Sequence, residues 1–146
     1  MKAMHADVEP IVRQFFADDN FARHCGIELV SVEPGRAVAR MTVKPEHFNG
    51  YKIVQGGAIF TLADLAFAAA SNSHGTVAVA INVSITFIKA TKGGVLEAEA
   101  REVARNPKLG TYVVEVRDEH GDLVAQFQGL VYRKSERIAD WYHQPR

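Results

Sequence analysis

One acidic residue lies in an otherwise apolar segment of the chain. Between Gly57 and Ala70 only Thr61 and Asp64 are clearly polar, and Asp64 is flanked by an alanine and a leucine. Burial disfavours a charged carboxylate, so we expect the pKa of Asp64 to be raised. Two interpretations are open. In the first, Asp64 lies on a narrow solvated strip or caps a neighbouring loop. In the second, Asp64 is a general base or nucleophile that faces a cleft.

A pair of glycines precedes this acid. An isolated glycine pair is often only a flexible turn. Alternatively, a helix that begins at Gly56 and Gly57 presents backbone N–H groups and its positive dipole end to an anion or a polarised carbonyl. Gly56 and Asp64 are eight residues apart, which is about 12 Å along a helix. One carbonyl group cannot contact both residues of a single chain. If both act on one atom, the site lies at the interface of a two-fold dimer.

Hydrophobic periodicity predicts the elements that position these residues. The predicted elements are an N-terminal helix at 8–21, strands at 26–32 and 36–43, the central helix at 57–70, and strands at 77–90, 96–101, 112–116 and 123–131. The central helix has so few polar residues that we expect it to be covered nearly all round. A polar tail follows at 135–146. This order predicts an α+β fold with an antiparallel sheet.

Length and composition limit the class of protein. The 146 residues, 47% of them hydrophobic, fit a single domain spanning 1–146. The 17 basic and 17 acidic residues balance, which argues against a nucleic-acid partner. A single cysteine, Cys25, forms no intrachain disulfide, and no signal pattern or apolar run of membrane-spanning length is present. We therefore expect a cytoplasmic protein with no membrane association.

Other chemical motifs are missing from the sequence. The six histidines have no short metal-ligand spacing, so no metal site is expected. The chain also has no nucleophile-elbow serine, no phosphate-binding glycine loop and no dinucleotide fingerprint. No cofactor is therefore expected.

The run from His47 to Gly57, HFNGYKIVQGG, continues through Asp64 and resembles the hotdog-fold acyl-CoA thioesterases, most of all the phenylacetic-acid-degradation type. The resemblance covers about residues 25–133, and Asn72-Ser73 after the central helix also matches that group. It implies a hotdog fold, in which a long antiparallel sheet wraps around the central helix. It also implies an acyl-CoA substrate, with aryl-CoA among the candidates. The partner expected for the chain is a second copy of itself, as in the dimer argued above, and we expect the dimers to pair into a tetramer by a face that the sequence leaves open.

The resemblance also implies roles for single residues. Asp64 would activate water or attack the thioester carbonyl, and the Gly56 N–H of the opposing subunit would stabilise the oxyanion. Asn49 would orient the thioester or the water. Many family members have a histidine where this chain has Gln55, which can hydrogen-bond near the carbonyl but cannot donate a proton at neutral pH. A hydroxyl found in some members on the next strand is replaced here by Ala80.

Coenzyme A carries phosphates, and a protein of zero net charge needs a local basic cluster to bind them. Lys108, beside a predicted turn, and Arg105 are the candidates, although ordinary solvated side chains would look the same in the sequence. Gly57, next to the oxyanion position, is expected to contact the substrate.

Two other functions are compatible with the sequence. Gln55 and Ala80 would also fit a hotdog protein that binds acyl-CoA without hydrolysing it. His47-Phe48 has a superficial likeness to hotdog hydratases and dehydratases, but the proline that follows in those enzymes is absent, and His47 lies away from the predicted helix start.

Overall fold

A single antiparallel sheet curves around one central helix. The computed structural model describes residues 2–142. In chain order the elements are α1 (Lys2–Ala17), α2 (Asn20–His24), β1 (Ile27–Glu33), β2 (Arg36–Thr42), α3 (Gly56–Ser71), β3 (Thr76–Phe87), β4 (Val95–Arg105), β5 (Leu109–Arg117), β6 (Leu123–Arg137) and α4 (Ile138–Tyr142). The six strands hydrogen-bond in the order β1-β2-β4-β5-β6-β3, and all neighbours are antiparallel. The predicted α+β fold, a sheet wrapped around the central helix, is confirmed.

Alternation along the strands explains which face of the sheet is covered. In β4, Leu96, Ala98 and Ala100 are fully buried, whereas Glu97 and Arg101 are exposed. Period-two alternation of this kind turns one face of a strand to the core. The buried alanines of β4 pair with buried alanines of β2. Such small side chains let α3, itself rich in alanine, lie close to the sheet.

The aromatic part of the core explains one glycine in β6. The ring of Phe67, on the sheet-facing side of α3, lies against Gly129 and makes edge contacts with Tyr112. A Cβ atom at Gly129 would be 2.4 Å from the Phe67 ring. Only glycine fits this position, because the helix side chain occupies the space that any other residue would need.

The N-terminal segment, predicted as a helix at 8–21 that Asp18-Asp19-Asn20 ends or re-caps, consists of two helices. α1 begins at Lys2 and ends at Ala17, and a second helix, α2, begins at Asn20. The side chain of Asp19 accepts a hydrogen bond of 3.0 Å from the Ala22 N–H and so caps α2. The boundary is therefore set by a capping carboxylate, which satisfies a free N–H at the start of the second helix.

The tail predicted at 135–146 is also corrected. β6 continues to Arg137, and α4 follows. The side chain of Ile138 is only 1% exposed and belongs to the core, while its N–H donates to the Gly75 carbonyl at 3.0 Å. The rest of the predicted tail, residues 143–146, lies outside the described residues. Of the helices within 2–142, none combines the length and apolarity of a membrane crossing.

Candidate active site

The central helix leaves one stripe of residues incompletely covered. Most of α3 is buried against the sheet, but Gly57, Phe60, Thr61, Asp64 and Ala68 are exposed or half-buried. These positions recur at intervals of three and four residues, so they form one face of the helix. The expectation that α3 is covered nearly all round is therefore wrong for a single chain. The uncovered face carries the acid.

Asp64 is a half-buried carboxylate whose pKa is raised. Burial is the larger cause, and the negative charge of Asp19 adds to it. Among the described side chains of residues 8–141, none donates a hydrogen bond to the Asp64 carboxylate. The hydroxyl of Thr61, one turn earlier on α3, donates to the Gly57 carbonyl at 2.7 Å. A carboxylate that is desolvated and has no hydrogen-bond donor is a strong proton acceptor. The raised pKa expected from the sequence is confirmed.

The start of α3 supplies free backbone donors. Gln55 is the N-cap, and its carbonyl accepts the N–H groups of Ala58 and Ile59 at 3.0 and 3.3 Å. The N–H groups of Gly56 and Gly57 have no acceptor within the described part of the chain. Unpaired donors at a helix start bind anionic oxygen, and the helix dipole adds to the attraction.

Phe87, at the end of β3, lies directly over this helix start. A Cβ atom at Gly56 would be 3.0 Å from the tip of its ring. Although Phe87 is a large apolar residue, 53% of its side chain is exposed. β3 is an edge strand, so within the described residues no further strand covers the outer edge of the sheet at this position.

A short loop brings Asn49 to the same end of the helix. Phe48 and Val54 form an isolated antiparallel bridge, and the Asn49 N–H donates to the Ile53 carbonyl at 2.8 Å. The side-chain oxygen of Asn49 accepts the N–H groups of Tyr51 and Ile53 at 2.9 and 3.4 Å. Its amide nitrogen makes no hydrogen bond within residues 2–142, so it is available to a ligand.

The basic candidates lie at the opposite end of the sheet from Gly56. Arg105 ends β4, and Lys108 precedes β5, beside the part of β6 that pairs with the start of β3. Gly56 lies at the end of β3 instead. The 12 residues of β3 span roughly 36–40 Å. The structure therefore does not bring Arg105 or Lys108 together with Gly56 in one chain.

Arg105 is also partly engaged by a half-buried acid that the sequence interpretation overlooked. Glu102 accepts hydrogen bonds from Tyr112 Oη at 2.8 Å and from His74 Nε2 at 2.9 Å, and it lies 3.7 Å from Arg105 Nε. Burial, and then the hydrogen bond to Glu102, raise the pKa of Tyr112. Glu102 continues the inward alternation of Leu96, Ala98 and Ala100, so strand periodicity could have identified it.

His47 is not free to act on a substrate. The ring is 6% exposed, Nδ1 accepts the Lys44 N–H at 2.9 Å, and Nε2 lies 2.7 Å from the Cys25 carbonyl oxygen. Because both ring nitrogens are engaged, His47 cannot serve as the acid or base of a hydratase. Within residues 2–142 no group of three or more histidine, cysteine, aspartate or glutamate side chains could hold a metal ion.

Comparison with known proteins agrees with this fold. Residues 51–125 match the family model described as the thioesterase superfamily. A protein of Archaeoglobus fulgidus named as a putative esterase is 43% identical over 130 residues, which cover 88% of this chain and 84% of the relative. The acyl-coenzyme A thioesterase PaaI of Escherichia coli is 36% identical over 81% of this chain and 85% of its own.

Solved structures give the same result. The structure of the E. coli PaaI protein superimposes with a TM-score of 0.83 at 32% identity, over 89% of this chain and 98% of that one. A Streptococcus mutans protein bound to acetyl-CoA has a TM-score of 0.72 at 28% identity, over 76% and 90% of the two chains. A long antiparallel sheet wrapped around a central helix is the hotdog fold, and these matches place it among the thioesterases. The chain belongs to the thioesterase superfamily and is a thioesterase of the PaaI type.

Proposed function

We propose that the protein hydrolyses acyl-CoA thioesters at a site shared by two chains, in which Gly56 of one subunit and Asp64 of the other contact the same thioester. The observation that carries this proposal is the geometry of α3. Gly56 and Asp64 lie on one continuous 16-residue helix, about 12 Å apart along its axis. A thioester carbonyl held by the Gly56 N–H is therefore out of reach of the Asp64 carboxylate of the same chain.

The proposed reaction uses Asp64 as a general base. Its carboxylate takes a proton from a water molecule, and the water oxygen attacks the thioester carbonyl carbon. The negative charge that develops on the carbonyl oxygen is stabilised by the Gly56 N–H and the dipole of α3. The carbon–sulfur bond then breaks, and the CoA thiolate takes up the proton from Asp64, leaving a free acid. Asn49 donates its amide N–H to the water or the thioester, and Gly57 lines the acyl pocket.

A dimer through β3 explains how the partner's acid reaches the site. β3 is an edge of the sheet, and none of its 12 residues is charged or proline. An edge without these features is open to pairing with another strand. Val79 and Ile81 on this strand are 41% and 54% exposed. Antiparallel pairing of two β3 strands would cover these side chains and place the uncovered stripes of the two α3 helices near one another.

The same pairing accounts for the distant basic residues. A two-fold axis through the middle of β3 puts the start of one strand beside the end of the other. Arg105 and Lys108 lie near the start of β3, whereas Gly56 lies at its end. In the dimer they would therefore approach the partner's Gly56 end. Their charges could there bind the phosphates of coenzyme A, the ligand class named for the E. coli and S. mutans relatives.

A thioester screen with free-thiol detection tests the proposed function. We expect the wild type to release CoA from one or more of aryl, short-chain and medium-chain acyl-CoA thioesters. Asp64→Asn, which preserves size but not basicity, should lose this activity. Asp122→Asn is the matched control, because Asp122 is an exposed acid paired with Lys89. Absence of hydrolysis by the wild type across the panel, or full activity of Asp64→Asn, would contradict the proposal; binding without thiol release would support the non-catalytic alternative.

A further inference from the structure

His47 connects the loop that carries the site to a distant part of the backbone. Its ring lies between the Lys44 N–H and the carbonyl oxygen of Cys25, the residue at the junction between α2 and β1. The buried ring hydrogen-bonds to two backbone groups, so it links two segments of the chain in addition to filling space. It fixes one end of the segment that leads to the oxyanion donor.

The two backbone contacts determine the tautomer of the ring. A backbone N–H can only donate, so Nδ1 of His47, at 2.9 Å from the Lys44 nitrogen, must be unprotonated. A backbone carbonyl can only accept, so Nε2, at 2.7 Å from the Cys25 oxygen, must carry the proton. The ring is therefore the neutral Nε2–H tautomer, and both of its hydrogen bonds are satisfied.

The backbone of His47 carries this constraint to the helix start. Its carbonyl accepts the Gln55 N–H at 2.7 Å. Gln55 is the N-cap of α3, and its own carbonyl accepts the Ala58 N–H. Gln55 is thus hydrogen-bonded through both its N–H and its carbonyl, and this carbonyl belongs to the same peptide as the Gly56 N–H. The backbone of His47 therefore connects its buried ring to the residue that precedes the donor.

We propose that His47 is a positioning residue for thioester hydrolysis, which acts through Gln55 to aim the Gly56 N–H at the oxyanion. This inference rests on the proposed function. Because the donor matters most when charge has developed on the carbonyl oxygen, loss of alignment should reduce kcat and leave KM nearly unchanged. Misplacement of a catalytic group by a fraction of an ångström to 1 Å lowers rates by roughly ten- to a hundredfold.

Three substitutions of His47 separate its two hydrogen bonds. His47→Asn retains an acceptor near the Lys44 N–H, His47→Gln retains a donor that can reach the Cys25 carbonyl, and His47→Leu retains neither. We expect kcat to be lowest for His47→Leu and intermediate for the other two. Ser73→Ala is the control for stability, since the buried Ser73 hydroxyl also makes two backbone hydrogen bonds, with the Gly35 N–H and the Ala70 carbonyl.

The outcome is read in two ways. In activity assays, His47→Leu should lose kcat while Ser73→Ala retains it at a comparable loss of thermal stability. In amide hydrogen exchange, the Gln55 N–H should lose protection in His47→Leu only, and a ¹⁵N spectrum of the wild type should show an unprotonated Nδ1. Wild-type kcat and an unchanged Gln55 amide in His47→Leu would overturn the positioning role and leave the proposed function intact. The exchange and tautomer measurements test whether the His47 ring positions Gln55 even if no thioester is hydrolysed.

Discussion

Replacing Gly56 by proline removes one backbone N–H from the helix start and changes little else in the backbone. Gly56 is the first residue of α3, a position where proline is favoured because its missing N–H has no partner inside the helix. The preceding residue, Gln55, has φ −59° and ψ 135°, which is the extended conformation that a following proline requires. The variant is therefore expected to fold with α3 intact.

Gly56→Ala is the matched control for this substitution. Both variants add a Cβ atom at a position 3.0 Å from the Phe87 ring, so both require that ring to move by a few tenths of an ångström. Phe87 is more than half exposed and can give way. Alanine keeps the N–H and proline removes it. The difference between the two variants therefore isolates the hydrogen-bond donor from the steric effect.

The magnitude follows from the role of the donor. Loss of one oxyanion donor lowers kcat by roughly 100- to 1000-fold, or about 3–4 kcal/mol of transition-state stabilisation. We expect Gly56→Pro to fall below Gly56→Ala by about this factor in a thiol-release assay, with similar urea denaturation midpoints for the two variants. Equal kcat values for the two folded variants would refute the assignment of the Gly56 N–H as the oxyanion donor.

Three further outcomes follow from the structure. Asp19→Asn keeps a capping side chain on α2 but removes a charge that raises the pKa of Asp64, so the acid limb of the kcat/KM profile should move to lower pH. Folding raises the pKa of Asp64 above its ordinary value of 3.8, so ionisation of this side chain costs stability at neutral pH. Asp64→Asn should therefore be more stable than the wild type in urea at pH 7. The difference should disappear as the pH falls through the raised pKa to below 3.8. Gly129→Ala, which places a Cβ atom 2.4 Å from the Phe67 ring, should destabilise the fold by about 1–3 kcal/mol in the same measurement.

The sequence was sufficient for the main elements of the fold. The largely apolar run after Gly56 predicts a helix at 57–70, and α3 is Gly56–Ser71. Alternation in β4 and β5 predicts which residues face the core. These patterns are local, because a strand or a helix with one covered face repeats its apolar residues at a fixed interval.

The errors come from contacts that no local pattern contains. The burial of Ile138 at the end of β6 accompanies a hydrogen bond from its N–H to the carbonyl of Gly75, far away in the chain. The break between α1 and α2 is different, because Asp19 caps the N–H of Ala22 only three residues later and is a local signal. The apolar character of Phe87 indicates that something covers its ring but does not indicate whether the cover belongs to the same chain. The role of His47 likewise depends on a carbonyl 22 residues earlier.

The candidate site was predicted in its residue types but not in its arrangement. The apolar surroundings of Asp64 and the glycines at the helix start are visible in the sequence, and the raised pKa and the free N–H groups agree with them. The sequence does not reveal that the face of α3 bearing Asp64 is the uncovered one. It also does not reveal that Arg105 and Lys108 lie at the far end of the sheet from Gly56.

Mixed dimers give the most direct test of a site shared between two chains. Asp64→Asn and Gly56→Pro are each expected to be inactive alone. When the two variants are unfolded together and refolded in equal amounts, about half of the dimers are mixed, and each mixed dimer has one site with both residues intact. The account predicts recovery of about a quarter of the wild-type rate. No recovery, in a mixture shown to contain mixed dimers, would contradict it.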